Sequence, residues 1–165
     1  MTNKTQLFSI VGCLAVAVVI VVGLTYLPNE EPSPSSAKTN REVALTCTTD
    51  MATEFHIHPT LKIIANGQEQ VIPPNIGVTS LCMNPLHTHD AKGTLHVESP
   101  EKRDFTLRDF FAVWRKTFTR EQVLDFKADE TNTITVTVNG LPSQEYENLI
   151  LRDGDQIVIT YGLDS

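Results

Sequence analysis

The residues most able to do chemistry lie between Cys82 and Glu98, in the run C-M-N-P-L-H-T-H-D-A-K-G-T-L-H-V-E, which carries His87, His89, Asp90, His96 and Glu98. Imidazole nitrogen and carboxylate oxygen are donor atoms that transition metals take from proteins. The two remaining histidines, His56 and His58, stand upstream as H-I-H, so all five histidines of the 165-residue chain fall between His56 and His96. Unrelated polar residues would seldom gather in this way. The pattern predicts one metal site, with His56, His58, His87 and His89 as leading ligands and His96 next. Asp90 and Glu98 are expected as additional ligands or as carboxylates that fix the ring tautomers. Copper or zinc is the expected ion, because imidazole suits both and does not choose between them.

Familiar templates narrow the chemistry by their absence. There is no H-E-x-x-H zinc-protease helix, no nucleophile motif and no phosphate-binding glycine loop. A blue-copper centre needs a cysteine, two histidines and often an axial methionine. Cys82 and His87 are suitably spaced for one, but only Met83 or the distant Met51 could serve axially. The cysteines therefore have two readings: Cys47 and Cys82 form a disulfide, or one of them is a thiolate ligand. Three function classes follow. The first is a protein that sequesters, delivers or senses the ion, or uses it structurally. The second is an enzyme in which three histidines hold the ion, water fills an open position, and Glu98 or Asp90 is the general base. The third is a partner-binding domain without metal, whose histidines titrate near neutral pH. The missing catalytic motifs favour binding over catalysis.

The elements that must position these side chains can be read from periodicity. Phe55 and Ile57 alternate with His56 and His58, so in an extended segment both imidazoles share the face opposite the apolar pair. A β-hairpin is expected from about Leu61 to Ile72 around Asn66-Gly67. Cys82 to Gly93 reads as a loop, and Thr94 to Glu98 as a strand with Leu95 and Val97 on one face and His96 and Glu98 on the other. Phe105 opens the clearest helix, with Thr106 and Asp109 as a capping pair and Leu107, Phe110, Phe111, Trp114 and Phe118 as one stripe. That stripe is expected to cover a sheet. A second short helix is expected near Arg120 to Phe126. T-I-T-V-T-V-N-G and D-G-D-Q-I-V-I-T-Y-G then read as strands, the last with Ile157, Ile159 and Tyr161 inward. The fold class is α+β: a small mixed or antiparallel sheet packed on one main helix.

Residues Leu7 to Leu27 form an apolar run with no charged side chain, long enough to cross a bilayer as one helix. The competing reading, a cleaved signal peptide, usually has a shorter apolar core and ends in a small-x-small site. An uncleaved anchor is therefore expected over 7–27. Lys4 before the run and Glu30 and Glu31 after it place residues 1–6 in the cytoplasm and the rest outside. Pro28 to Val43, rich in Pro, Ser and charge, is expected to be a flexible tether, and 44–165 a His-rich extracytoplasmic domain. Lys4 is the only charged residue before Pro28, so of 13 basic and 20 acidic residues the remainder holds 12 and 20, a net charge of -8. Such an acidic chain is a poor partner for nucleic acid or anionic lipid surfaces and a better one for cations. The membrane is the one partner expected, through the N-terminal helix. Outside the cytoplasm a Cys47–Cys82 disulfide is favoured over a free thiolate.

Two resemblances complete the sequence reading. The tail V-N-G…L-R-D-G-D-Q-I-V-I-T-Y-G resembles the last strands of β-grasp domains, which implies a β-grasp-like sheet. Sulfur-carrier members of that group end in Gly-Gly. Here the chain ends Tyr161-Gly162-Leu163-Asp164-Ser165, so carrier activity is not implied. H-I-H-P, I-P-P-N-I-G, H-T-H-D-A-K-G-T-L-H-V-E and F-T-L-R-D-F-F-A-V-W are similar to motifs of a group of uncharacterised, membrane-anchored microbial proteins. That likeness implies a membrane-anchored family and no particular activity.

Overall fold

The computed structural model describes residues 38–49 and 53–163. The apolar run 7–27, most of the expected tether, and Met51 lie outside the described residues. Among those described, no helix is long and apolar enough to cross a membrane.

The chain is α+β with one main helix and mixed sheets. It opens with α1 (Asn40–Leu45), set by a reciprocal cap: the Thr39 hydroxyl accepts from the Glu42 N–H at 3.2 Å, and the Glu42 carboxylate accepts from the Thr39 N–H at 2.8 Å. Residues 40–43 were expected in the tether, and this is a correction: T-N-R-E is a capping box, and Ala44 behind it is fully buried. Strands β1 (Phe55–Ile57), β2 (Thr60–Ala65), β3 (Gln68–Gln70), β4 (Leu86–His87) and β5 (His96–Ser99) follow. The hairpin β2–β3 turns at Asn66-Gly67 as expected, both residues having positive φ. Next comes the main helix α2 (Leu107–Trp114), then β6 (Gln122–Val123), β7 (Phe126–Lys127), β8 (Asn132–Val138), β9 (Leu141–Ser143), a 3-10 turn (Tyr146–Asn148) and β10 (Gln156–Leu163).

Five strands make the main sheet, in the order β3-β2-β10-β8-β9, with β2 and β10 parallel and the other pairs antiparallel. Alternation along these strands sends Leu61, Ile63, Ile134, Val136, Ile157, Ile159 and Tyr161 into the core beside Leu107, Phe110 and Phe111 of α2. The Asp109 carboxylate accepts from the Thr106 N–H and hydroxyl at 2.9 and 3.0 Å, the expected capping pair. The helix is shorter than its aromatic stripe suggests. Arg115 ends it in the left-handed region, and Phe118, beyond the helix, folds back with its ring centroid 4.9 Å from that of Phe111. The helix expected near Arg120 to Phe126 is instead the hairpin β6–β7, because Leu124 takes φ 52°, which reverses the chain and cannot continue a helix.

A second, three-stranded sheet, β1-β5-β4, carries His56, His87, His96 and Glu98. It is stitched to the main sheet where the Leu61 N–H donates to the Gly93 carbonyl at 2.8 Å and the Leu95 N–H to the Pro59 carbonyl at 2.9 Å. Gly93 is required at this seam: its φ is +79°, and a Cβ there would lie 2.2 Å from the Leu61 carbonyl oxygen. The glycine of H-T-H-D-A-K-G thus lets the loop bearing His89 and Asp90 press against β2.

Candidate metal centre

Strand register brings the donor residues together. Val97 and Ser99 of β5, like Leu95 just before it, are buried, which turns His96 and Glu98 to the other face. β1 pairs with β5 so that His56 lies opposite Glu98, and β4 pairs with it so that His87 lies opposite His96. Directly opposed residues of antiparallel strands share a face, so these four side chains stand on one side of a small sheet. His58 and His89 follow two residues after His56 and His87 and complete the group. The two H-x-H pairs, 31 residues apart in the chain between first members, meet across β5.

Two sets of three nitrogens result, each with ligand atoms within 4.8 Å of one another: His56, His58 and His96, and His87, His89 and His96. His96 belongs to both. It was expected as a secondary ligand, and the pairing shows why it is central: the middle strand carries it between the other two. Its ring centroid is 4.7 Å from that of His58 and 4.6 Å from that of His89. Its Nδ1 is buried with no hydrogen-bond partner among the described residues. A buried polar atom left without a partner costs about 1–3 kcal/mol, and a cation accepted by its lone pair would remove that cost.

His87 is the most constrained ring. It was expected on a loop; it is instead a strand residue with no exposed surface. Its Nδ1 donates to the Asn84 carbonyl at 2.9 Å, which leaves the lone pair on Nε2, 3.2 Å from Nε2 of His89. Two nitrogens bound to one tetrahedral ion, each about 2.0–2.1 Å from it, sit roughly 3.3 Å apart. The pair already has that bite. Burial pushes the His87 pKa down to about 4, the Asn84 carbonyl and Glu98 opposing that shift and His89 and His96 adding to it, so its ring stays neutral far below the usual imidazole range. The His96 pKa is also lowered, chiefly by burial and then by His89 and His58.

The two carboxylates part company. Oε1 of Glu98 lies 3.0 Å from Nε2 of His56, 3.8 Å from Nδ1 of His96 and 3.9 Å from Nε2 of His87, within reach of both triads. Asp90 does not join them. Its carboxylate turns back to accept from the Lys92 N–H at 2.9 Å and faces the Lys92 ammonium at 3.8 Å, closing its own loop.

Cys47 and Cys82 are bridged, with Cα atoms 5.5 Å apart. This removes Cys82 from the ligand set, and with it the thiolate copper centre. Backbone bonds between Thr48 and Met83 continue the clamp in both directions, and the Asn84 side chain donates to the Ala44 carbonyl at 3.0 Å. The disulfide therefore steadies the segment whose Asn84 carbonyl orients His87.

A pH prediction follows for the metal-free protein. The His87 pKa falls from an ordinary 6.5 to about 4 on folding, so the unfolded chain takes up this proton first. The stabilisation is complete above pH 6.5 and is lost as pH falls towards 4, a change on the order of 3 kcal/mol for that depression. Denaturant titrations in the presence of chelator should show this loss, and a His87→Gln variant should show a shallower one. Equal slopes for the two proteins would place the proton elsewhere.

No family model, curated protein or solved structure matches this chain.

Proposed function

We propose that this is a membrane-anchored, extracytoplasmic protein that binds a transition-metal ion, copper or zinc, to sequester, deliver or sense it. One observation carries the reading: five imidazoles and one carboxylate converge on one face, with a buried His96 nitrogen that no group among the described residues satisfies. Neutral imidazoles at a ready bite, rather than thiolates, suit Zn²⁺ and Cu²⁺. The anchor rests on the apolar run 7–27, and the outward placement on the charges flanking it, with support from a disulfide that persists in oxidising surroundings. The hairpin–helix–strands order, with the first and last strands of the main sheet paired in parallel, supports the β-grasp-like reading. The quoted motifs support membership of the membrane-anchored microbial group they resemble.

The test is elemental analysis of the full chain, purified without a polyhistidine tag or chelator. About one equivalent of zinc or copper, or uptake of one on addition, is expected. A chain that carries neither and takes up neither overturns the reading.

A metalloenzyme is the second reading, favoured by a groove of about 500 Å³ that borders His58 and is also lined by Lys62, Lys92 and Gln156. Three nitrogens beside a groove leave an ion an open position, and Glu98 would be the general base. Azide added to the Co²⁺-loaded protein separates the two: a changed visible spectrum reports an exchangeable position, and an unchanged one a closed shell.

A further inference from the structure

The two triads overlap, and their shared member, His96, keeps a buried ring nitrogen free for an ion. His87 is fully buried and pinned by its hydrogen bond to the Asn84 carbonyl, whereas Nδ1 of His96 has no hydrogen-bond partner among the described residues. Burial is uneven across the cluster: His56, His58 and His89 are exposed, His96 is partly buried and His87 is sealed. His58 also borders the groove, so the His56–His58–His96 triad, with two exposed rings against one, is the more open of the two. Charge limits occupancy. Glu98 is the one carboxylate that touches these rings among the described residues, and Asp153 meets only the His58 backbone N–H, at 2.8 Å. Two dications would bring four positive charges against a single negative one at short range and partly out of water, where such repulsion is poorly screened. One ion has two places to sit.

Resting on the metal-binding reading above, we propose that the triads are two stations for a single divalent ion. His56, His58 and His96 load it from solvent; His87, His89 and His96 hold it; His96 and Glu98 stay with it during the passage. The step is ligand exchange between neutral imidazoles, with no change of oxidation state and no covalent bond formed in the protein. Retaining His96 and Glu98 throughout means that the ion need never return to full hydration. Such a device suits delivery or buffering, because a more buried site that fills from a more open one exchanges slowly yet still exchanges.

The experiment uses Co²⁺ as the probe on the full chain, with uptake followed by rapid mixing through its visible absorption. The variants are His58→Ala and His89→Ala, both at exposed rings outside the hydrophobic core. Wild-type protein should bind one Co²⁺ in a fast, concentration-dependent phase and a slower, concentration-independent one. His58→Ala should load about tenfold or more slowly, with a final affinity within roughly threefold of wild type. His89→Ala should load in a single fast phase, bind about tenfold or more weakly, and release Co²⁺ to chelator faster. Two Co²⁺ per chain, equal losses of affinity in the two variants, or wild-type loading by His58→Ala would each overturn the two-station arrangement while leaving metal binding intact. A wild-type chain that binds no Co²⁺, Zn²⁺ or Cu²⁺ overturns both.

Discussion

Replacing His96 by alanine should remove tight metal binding from both triads at once. His96 is the only histidine common to His56–His58–His96 and His87–His89–His96, so neither set keeps three nitrogens without it. Changes that merely disturb the partners of a ligand weaken metal affinity about 10–100-fold, so losing a shared ligand should cost about 100-fold or more. The fold should survive, because the strand is held by Leu95 and Val97 in the core and by backbone pairing on both edges. Competition with a chromophoric chelator, alongside circular dichroism, measures the two effects separately. Asp90→Asn is the matched control: its carboxylate is committed to Lys92 and its own turn, and affinity should not move. A His96→Ala protein that binds as tightly as Asp90→Asn would dismantle the shared-ligand centre.

Opening the Cys47–Cys82 bridge should cause the largest loss of stability. The sequence separation of 35 residues corresponds, by chain entropy, to about 4 kcal/mol. That is a large part of the margin of an ordinary domain. The loss should reach the metal centre as well. Met83 and Asn84 follow the bridge directly, and the Asn84 carbonyl fixes the His87 tautomer. Denaturant unfolding of the Cys47→Ser/Cys82→Ser protein, with and without Zn²⁺, tests both effects. Reduced stability with unchanged Zn²⁺ affinity would show that His87 is oriented without the clamp.

Local pattern made much of the architecture legible. Period-two alternation identified the inward residues of β5, β8 and β10, Asn-Gly identified two turns, and Thr106 with Asp109 marked the start of α2. Errors arose where a local signal was overridden or under-read. Gln122 to Phe126 has helix-forming residues, but Leu124 turns the chain back so that Val123 is buried in the core. Asn40 to Val43 lies in polar sequence, yet its cap and the buried Ala44 make it a helix.

The sequence by itself determined the candidate donors: five histidines with Asp90 and Glu98, of which His56, His58, His96 and Glu98 alternate with apolar residues. Which donors share an ion is another matter, because spacing along the chain says nothing about which strands lie side by side. Tertiary structure decided which donors lie together by placing β5 between β1 and β4, which set His96 between two histidine pairs and Glu98 within reach of both. It also decided that Asp90 turns away, that Cys82 is bridged, and that His87 is buried. Each of those outcomes depends on contacts between residues far apart in sequence, which local propensity does not encode.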